Sequence, residues 1–272
     1  MYDGMPTILD QMRFIHGPRE LLARYVACAN DMAADLGITL RLSSDFARLV
    51  TLNAQNRDSW PRLSPIFDPA NTDLSEKAFF IEGVDELGDT VMTSAGRLYD
   101  HGDRSIAQEL RALRVFYDDP APHIAAGARI EVTAPSAEYI CGRVMFSGAV
   151  WVRPDYRRHG LTKIVPRLTR AVALTHWNTP VFWATIEHKL EKMGVARAYG
   201  SWHIEDGIVE HIPSWRGNLP LLFMSMGQAT LLRDLASSIA GYEMTTGRSR
   251  RIDNASANVS LSRDDHGMST RS

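Results

Sequence analysis

Val150-Trp151-Val152-Arg153-Pro154-Asp155-Tyr156-Arg157-Arg158-His159-Gly160-Leu161-Thr162 is the stretch from which the rest of this chain can be read. An apolar run ends in a basic turn with one glycine, and the turn leads into residues with helical periodicity. Upstream, Val144, Phe146, Gly148, Val150 and Val152 alternate with Met145, Ser147, Ala149 and Trp151. Both sets are mostly apolar, so the spacing predicts a strand covered on both faces. Pro154 has no amide to donate and ends the ladder. Downstream, Leu161, Ile164, Val165, Leu168 and Val172 recur every three or four residues, the stripe of an amphipathic helix. The first amides of such a helix have no backbone acceptor, and its N-terminus carries roughly half a positive charge. Gly160, lacking a Cβ, lets an anion approach the main chain there. Arg153, Arg157, Arg158, His159 and Lys163 add positive charge around it. Strand, basic glycine turn and helix together make a seat for a diphosphate.

The motif Arg157-Arg158-His159-Gly160-Leu161-Thr162 resembles the Arg/Gln-x-x-Gly-x-Gly/Ala stretch of the GCN5-related N-acetyltransferases (GNAT). In that family the stretch follows the fourth strand, and its amides bind the diphosphate of acetyl-CoA. Pro154-Asp155-Tyr156 precedes it here, as is common in the family. Thr162 departs from the usual Gly or Ala. Pro166 lies early in the helix, where a missing amide bond costs about 3 kcal/mol or forces a kink. Further on, Thr179 to Ile186 reads as a buried fifth strand, and Lys189 to Val195 as a short helix closing on Gly194. Family members often have Tyr-Glu-Lys-Leu-Gly-Phe at this place. Leu190-Glu191-Lys192-Met193-Gly194-Val195 keeps that shape, with Leu190 in place of the tyrosine that commonly protonates the departing thiolate.

The resemblance implies an α/β fold: a GNAT-type mixed central sheet flanked by helices, with an N-terminal helical extension and an insertion before the fourth strand. It also implies an acyl-CoA-dependent N-acyltransferase, in the first instance acetyl transfer from acetyl-CoA to an amine by direct attack in a ternary complex. Two other readings stand beside it. One is a long-chain N-acyl amino acid or autoinducer-type synthase that takes another acyl-CoA or an acyl-carrier protein. The other is a non-catalytic module that binds CoA or a protein. The implied cofactor residues are Arg157, Arg158, His159, Gly160, Leu161 and Thr162 for the diphosphate, and Val150, Trp151 and Val152, where the family's main-chain oxyanion donor lies. Glu187 and His188, just after the fifth strand, are the candidate bases, and an imidazole titrates near neutrality. Both read equally as exposed residues opening the next helix. Tyr199 is the substitute acid, or else a core tyrosine with its hydroxyl at the surface. Arg167 and Arg170 read as a solvated helix face, with contact to the CoA 3′-phosphate as the other reading. The acceptor class is a small-molecule amine or amino acid, and many relatives pair as homodimers.

The remaining sequence bounds the options. With 272 residues, 44% of them hydrophobic, the chain can bury one substantial core or one core with an appended subdomain. A formal charge of −2 argues against a general nucleic-acid binder. Cys28 and Cys141 are too few for a disulfide framework or a zinc motif, so no metal is expected. The first residues lack a basic region followed by an apolar run, and no stretch approaches the roughly 20 apolar residues of a membrane span. The expected location is therefore the cytoplasm. Periodicity places a helix with Leu21, Leu22, Tyr25, Val26 and Ala29 on one face, a strand from Thr39 to Leu42, and a helix through Leu49 and Leu52 capped by Ser43, Ser44 or Asp45. Strands follow at Ala78 to Val84 and Thr90 to Leu98, then an insertion with a helix from Ser105 to Phe116 that either shapes the acceptor or acyl pocket or is a packing or dimer element. Short strands are expected near Trp202 to Ile204, Gly207 to Ile212 and Leu219 to Met224. The organisation expected is 1–37 as the helical extension, 38–226 as the acyltransferase domain, 227–243 as a C-terminal helix and 244–272 as a disordered polar tail.

Overall fold

The computed structural model describes residues 6–213 and 216–247. The polar stretch from residue 248 onward, most of the tail expected to be disordered, lies outside the described residues. Eight strands form one sheet: β1 (Thr39–Ser43), β2 (Ala78–Val84), β3 (Thr90–Asp100), β4 (Arg129–Val132), β5 (Arg143–Val152), β6 (Val181–Glu187), β7 (His203–Ile212) and β8 (Gly217–Gly227). Their order is β1-β2-β3-β5-β6-β8-β7-β4. Every neighbouring pair is antiparallel except β5 and β6. Parallel neighbours need a crossover connection, and a long helix supplies it here. The helices are α1 (Ile8–Gln11), α2 (Arg19–Ala34), α3 (Phe46–Gln55), α4 (Ile106–Arg111), α5 (Ala121–Ala125), α6 (Pro135–Tyr139), α7 (Leu161–Trp177), α8 (His188–Lys192), α9 (Val195–Tyr199) and α10 (Gln228–Thr246). Among the described residues, no helix is long and apolar enough to cross a membrane.

Each face of the sheet has its own core. On one face, Phe46, Phe67, Phe80, Phe146, Trp183 and Phe223 pack together with Leu110 of the insertion. On the other, Met145 and Phe182 meet Leu22, Val26, Leu168, Val172 and Leu235 from α2, α7 and α10. Tyr25 of α2 donates its buried hydroxyl to the Ile164 carbonyl at 3.0 Å, and Arg24 pairs with Glu243 at 2.8 Å. Residues 19–34 thus share a core with the helix that follows the glycine turn. Asp45 caps α3, accepting from the Arg48 amide at 3.0 Å. Pro166 sits inside α7, yet the helix runs unbroken through it. The amide bond to Thr162 is lost, and Arg167 donates from Nη1 to the next carbonyl, that of Lys163, at 2.6 Å.

Four expectations need correction. Strict alternation along β5 places Val152 on the face of Val144, whereas the structure puts Trp151 with Val144 and Phe146, and Val152 with Met145. The cause is one extra residue: Ala95 pairs with Gly148 but Thr93 pairs with Trp151, so β5 advances three residues while β3 advances two. Such a bulge exchanges the faces of everything beyond it. Second, β5 is buried on both faces only in part, because Gly148, Ala149 and Val150 are half-buried. Third, the insertion helix stops at Arg111. Leu113 turns into the left-handed region (φ 58), the Arg114 amide reaches the Glu109 carbonyl at 3.1 Å, and the buried Leu113 side chain holds that cap in the core. Fourth, the two short strands expected after Trp202 are one strand, β7, with a register irregularity between Asp206 and Ile208. The insertion supplies something the sequence did not announce: β4 leaves its neighbours in the chain and pairs with β7 at the far edge of the sheet.

Candidate active site

Strands β5 and β6 pair in register at only three positions, Val144 with Val181, Met145 with Phe182 and Phe146 with Trp183, and then part. Beyond Phe146, the edge of β5 that faces β6 has no strand partner. In this open half, Ala149 is the bulged residue at φ 50, a left-handed conformation rare for a residue with a Cβ. Its carbonyl accepts from Thr93 Oγ1 at 2.8 Å, which holds the bulge in place. Gly148 is required beside it, since a Cβ there would lie 2.8 Å from the Phe146 ring and 2.9 Å from the Phe67 ring.

The parted strands enclose a cavity of about 220 Å³. Gly148, Ala149 and Val150 form one side and Ala184, Thr185, Ile186 and Glu187 of β6 the other. Consecutive residues of β6 point to opposite faces, so the cavity reaches both sides of the sheet. Trp60, Leu63, Phe67, Leu219 and Leu221 wall it on the face whose core holds Phe67 and Phe223, and Leu190, Tyr199 and Trp202 close it from the side of α8 and α9. Trp60 is fixed by stacking on Trp151, with centroids 5.0 Å apart and planes 9° from parallel, and Trp151 Nε1 donates to Ser59 Oγ at 3.1 Å.

Two glutamates line the cavity in different states. Glu187, at the end of β6, accepts from Arg216 Nη2 at 2.7 Å. Glu210 of β7 is 3% exposed, and its Oε2 has no hydrogen-bond partner among the described residues. Its register partners are Ile130 on β4 and Leu219 on β8, both apolar. Burial pushes its carboxyl up to about 8, and Arg216 opposes that only in part. Sequence reading passed over Glu210, although it carried a signal. In Ile208-Val209-Glu210-His211-Ile212, an acid occupies the middle of three alternating positions whose other two are fully buried isoleucines.

The expected site residues divide. Val150, Glu187 and Tyr199 line the cavity. His188 does not; its Nε2 lies 3.4 Å from Asp206 Oδ1. The Trp151 and Val152 side chains belong to the two cores. Burial raises the Tyr199 hydroxyl well above the usual phenol range. The Tyr199 carbonyl accepts from Arg170 Nη2. Arg167 and Arg170 fit neither reading made of them, because they are packed inside. Arg167 pairs with Asp234 at 2.8 Å, and Arg170 is fully buried over the Trp202 ring, its guanidinium pushed down to about 9 by that burial and by neighbouring Arg167.

The turn after β5 has the chemistry of an anion seat. Gly160 is the N-cap of the 17-residue α7 in the left-handed region (φ 84), no side chain caps that end, and no acid lies in its first turn. A Cβ on Gly160 would meet nothing within 4 Å, so the space in front of the turn is open. Arg158, His159 and Lys163 are exposed around it, with Thr162 half-buried and Leu161 turned into the core. Arg157 is tied to the chain instead: it donates to the carbonyls of Val152 and Ser59, each at 3.0 Å, and so braces the strand end against the loop that carries Trp60. These residues fit a diphosphate. Among the described residues no group of three or more His, Cys, Asp and Glu side chains could hold a metal ion.

No family model matches the sequence, and no curated protein matches it. Among solved structures, the chain is similar to aminoglycoside acetyltransferase AAC(6')-Ib in complex with coenzyme A and kanamycin, at 13% identity over 72% of this chain and 98% of that one, with a TM-score of 0.41. It is also similar to spermidine N-acetyltransferase from Vibrio cholerae in complex with CoA and spermine, at 10% identity over 72% of this chain and 98% of that one, with a TM-score of 0.42.

Proposed function

We propose that this protein is an acyl-CoA-dependent N-acyltransferase that moves an acetyl group from acetyl-CoA to an amine in a ternary complex. The observation that carries the reading is the continuity of one strand with two features. β5 opens a cavity at Gly148–Val150 and, ten residues further on, delivers the chain to an uncapped helix N-terminus at Gly160. That is the arrangement the motif's resemblance to the GCN5-related N-acetyltransferases implies.

Acetyl-CoA supplies an acyl thioester, so that the overall transfer forms one N–C bond, breaks one C–S bond and moves the proton released by the amine to the thiol. The main-chain amides at the mouth of α7 and the cations Arg158 and Lys163, with the His159 imidazole beside them, hold the anionic end of the donor. The unpaired edge of β5 at Gly148–Val150 offers amides to an oxygen that gains negative charge during transfer. Glu210, rather than His188, is the group that takes a proton from the acceptor, since it lines the cavity and its carboxyl has no ion-pair partner among the described residues. Tyr199 stays protonated at the opposite wall and is the proton source in the place of the family's tyrosine. Glu187 pairs with Arg216 and shapes the acceptor wall. A cavity of about 220 Å³ favours a short acyl group over a long chain.

Calorimetric titration with acetyl-CoA tests the reading on three proteins: wild type, Gly160→Ala and Gly160→Asp. Both substitutions carry the same backbone strain, roughly 1–2 kcal/mol, and only the second puts a carboxylate in the anion seat. Binding by wild type and Gly160→Ala that disappears in folded Gly160→Asp is the expected result. Equal binding by all three, or none by folded wild type, refutes it.

A further inference from the structure

The cavity's charge pattern narrows the acceptor. Among the described residues its lining holds four charged side chains, Arg62, Glu187, Glu210 and Arg216. Glu187 and Arg216 satisfy each other at 2.7 Å, and Arg62 brings a further positive charge to the exposed rim. Glu210 differs from Glu187 in having no ion-pair partner among the described residues: its Oε2 is buried without a hydrogen bond, and its strand neighbours are apolar. A buried acid with no partner is costly to maintain, and an ammonium brought to it would satisfy it. Trp60, Leu63, Phe67, Leu219 and Leu221 form an apolar wall, and the remaining polar lining residues, Ser64, Ser147, Thr185 and Tyr199, carry no charge. The volume, about 220 Å³, lies below the roughly 300–1,000 Å³ of pockets for drug-sized ligands.

Resting on the acyltransferase reading for its chemistry, and deepening it, we propose that the acceptor is a compact primary amine with a single positive charge on an apolar body, seated with its nitrogen at Glu210. Polycations are excluded. A second ammonium would meet only Glu187, already paired with Arg216, and would face the charges of Arg62 and Arg216. Seating the amine at Glu210 places it on the face of β7 that carries the buried Ile208 and Ile212, away from Tyr199 on the α8–α9 side.

Amine binding without any donor tests this independently of the transfer reaction. The probes are 2-phenylethylamine, its neutral counterpart 2-phenylethanol, and spermidine, titrated calorimetrically into wild type and Glu210→Gln at one ionic strength. The Gln side chain has the same shape and removes only the ionisable oxygen. In wild type, 2-phenylethylamine is expected to bind at least tenfold more tightly than the alcohol and than spermidine. In Glu210→Gln the preference for the amine over the alcohol is expected to vanish. Spermidine binding as tightly as the monoamine, a preference that survives in the variant, or no amine binding by wild type overturns the inference. The wild-type comparison stands even where the variant does not fold. Failure of acetyl-CoA binding with intact amine selectivity would remove the acyltransferase reading and leave the cavity assignment standing. Intact acetyl-CoA binding with no amine selectivity would do the reverse.

Discussion

The two halves of β5 are built from similar residues and end in opposite conditions. From Val144 to Phe146 the strand is flanked by β3 and β6, fully hydrogen-bonded and buried on both faces. From Gly148 to Val150 it has lost β6, carries a bulge toward β3 and borders a cavity. The first half is a core element, where side-chain volume determines stability. In the second half the main chain itself is the functional group, and side chains serve to keep it open. The neighbouring glutamates repeat the contrast. Glu187 is paired with Arg216, whereas Glu210 is buried beside the same cavity with no ion-pair partner among the described residues.

Truncating the closed half is expected to have the largest effect. Trp183 is fully buried, 4.7 Å from Phe146 and 6.0 Å from Phe223 by ring centroids. Trp183→Ala should lower stability by about 3–5 kcal/mol, read from urea unfolding, and a loss below about 1 kcal/mol would show that the paired half is not the core it is taken to be.

Removing the carboxyl of the open half should act on activity and on pH rather than on packing. Glu210→Gln is expected to reduce kcat/KM by roughly 10²–10⁴-fold, the range for a general base. The stability effect has a definite sign. Glu210 binds its proton more tightly folded (about 8) than unfolded (4.5), so its contribution is fully present below the unfolded value and is lost as pH rises towards 8. Wild type should therefore lose stability between about pH 5 and 8 relative to Glu210→Gln, measured as the difference in unfolding midpoint, and parallel profiles for the two proteins would contradict this.

The smallest effect belongs to a residue beside the site but not in it. His188→Ala should change kcat/KM by less than about twofold and stability by under about 0.5 kcal/mol, as for a surface substitution. A hundredfold loss of activity would restore the imidazole as the base.

What the sequence made legible follows from local physics. Alternation, proline, glycine and helical stripe located β5, the turn and α7, because each depends on residues adjacent in the chain. The bulge at Ala149 was hidden, since Ala149 is an ordinary strand residue in composition and its left-handed backbone is imposed by Thr93 and by the departure of β6. Glu210 was overlooked because its neighbours come from β4 and β8, and the chain from 129 to 132 reaches β7 only through long-range pairing. Arg170 was misread for a similar reason: its helix face looks polar in isolation, but α9 and Trp202 cover it.

Backbone amide shifts during titration with acetyl-CoA test the central contrast within one strand. Amide resonances of 15N-labelled protein are followed in both halves of β5 and through the turn. The account predicts large shifts at Gly148 to Val150 and at His159 to Thr162, with Val144 to Phe146 left unmoved. Binding that shifts the paired half and leaves the open half and the turn unchanged would contradict it.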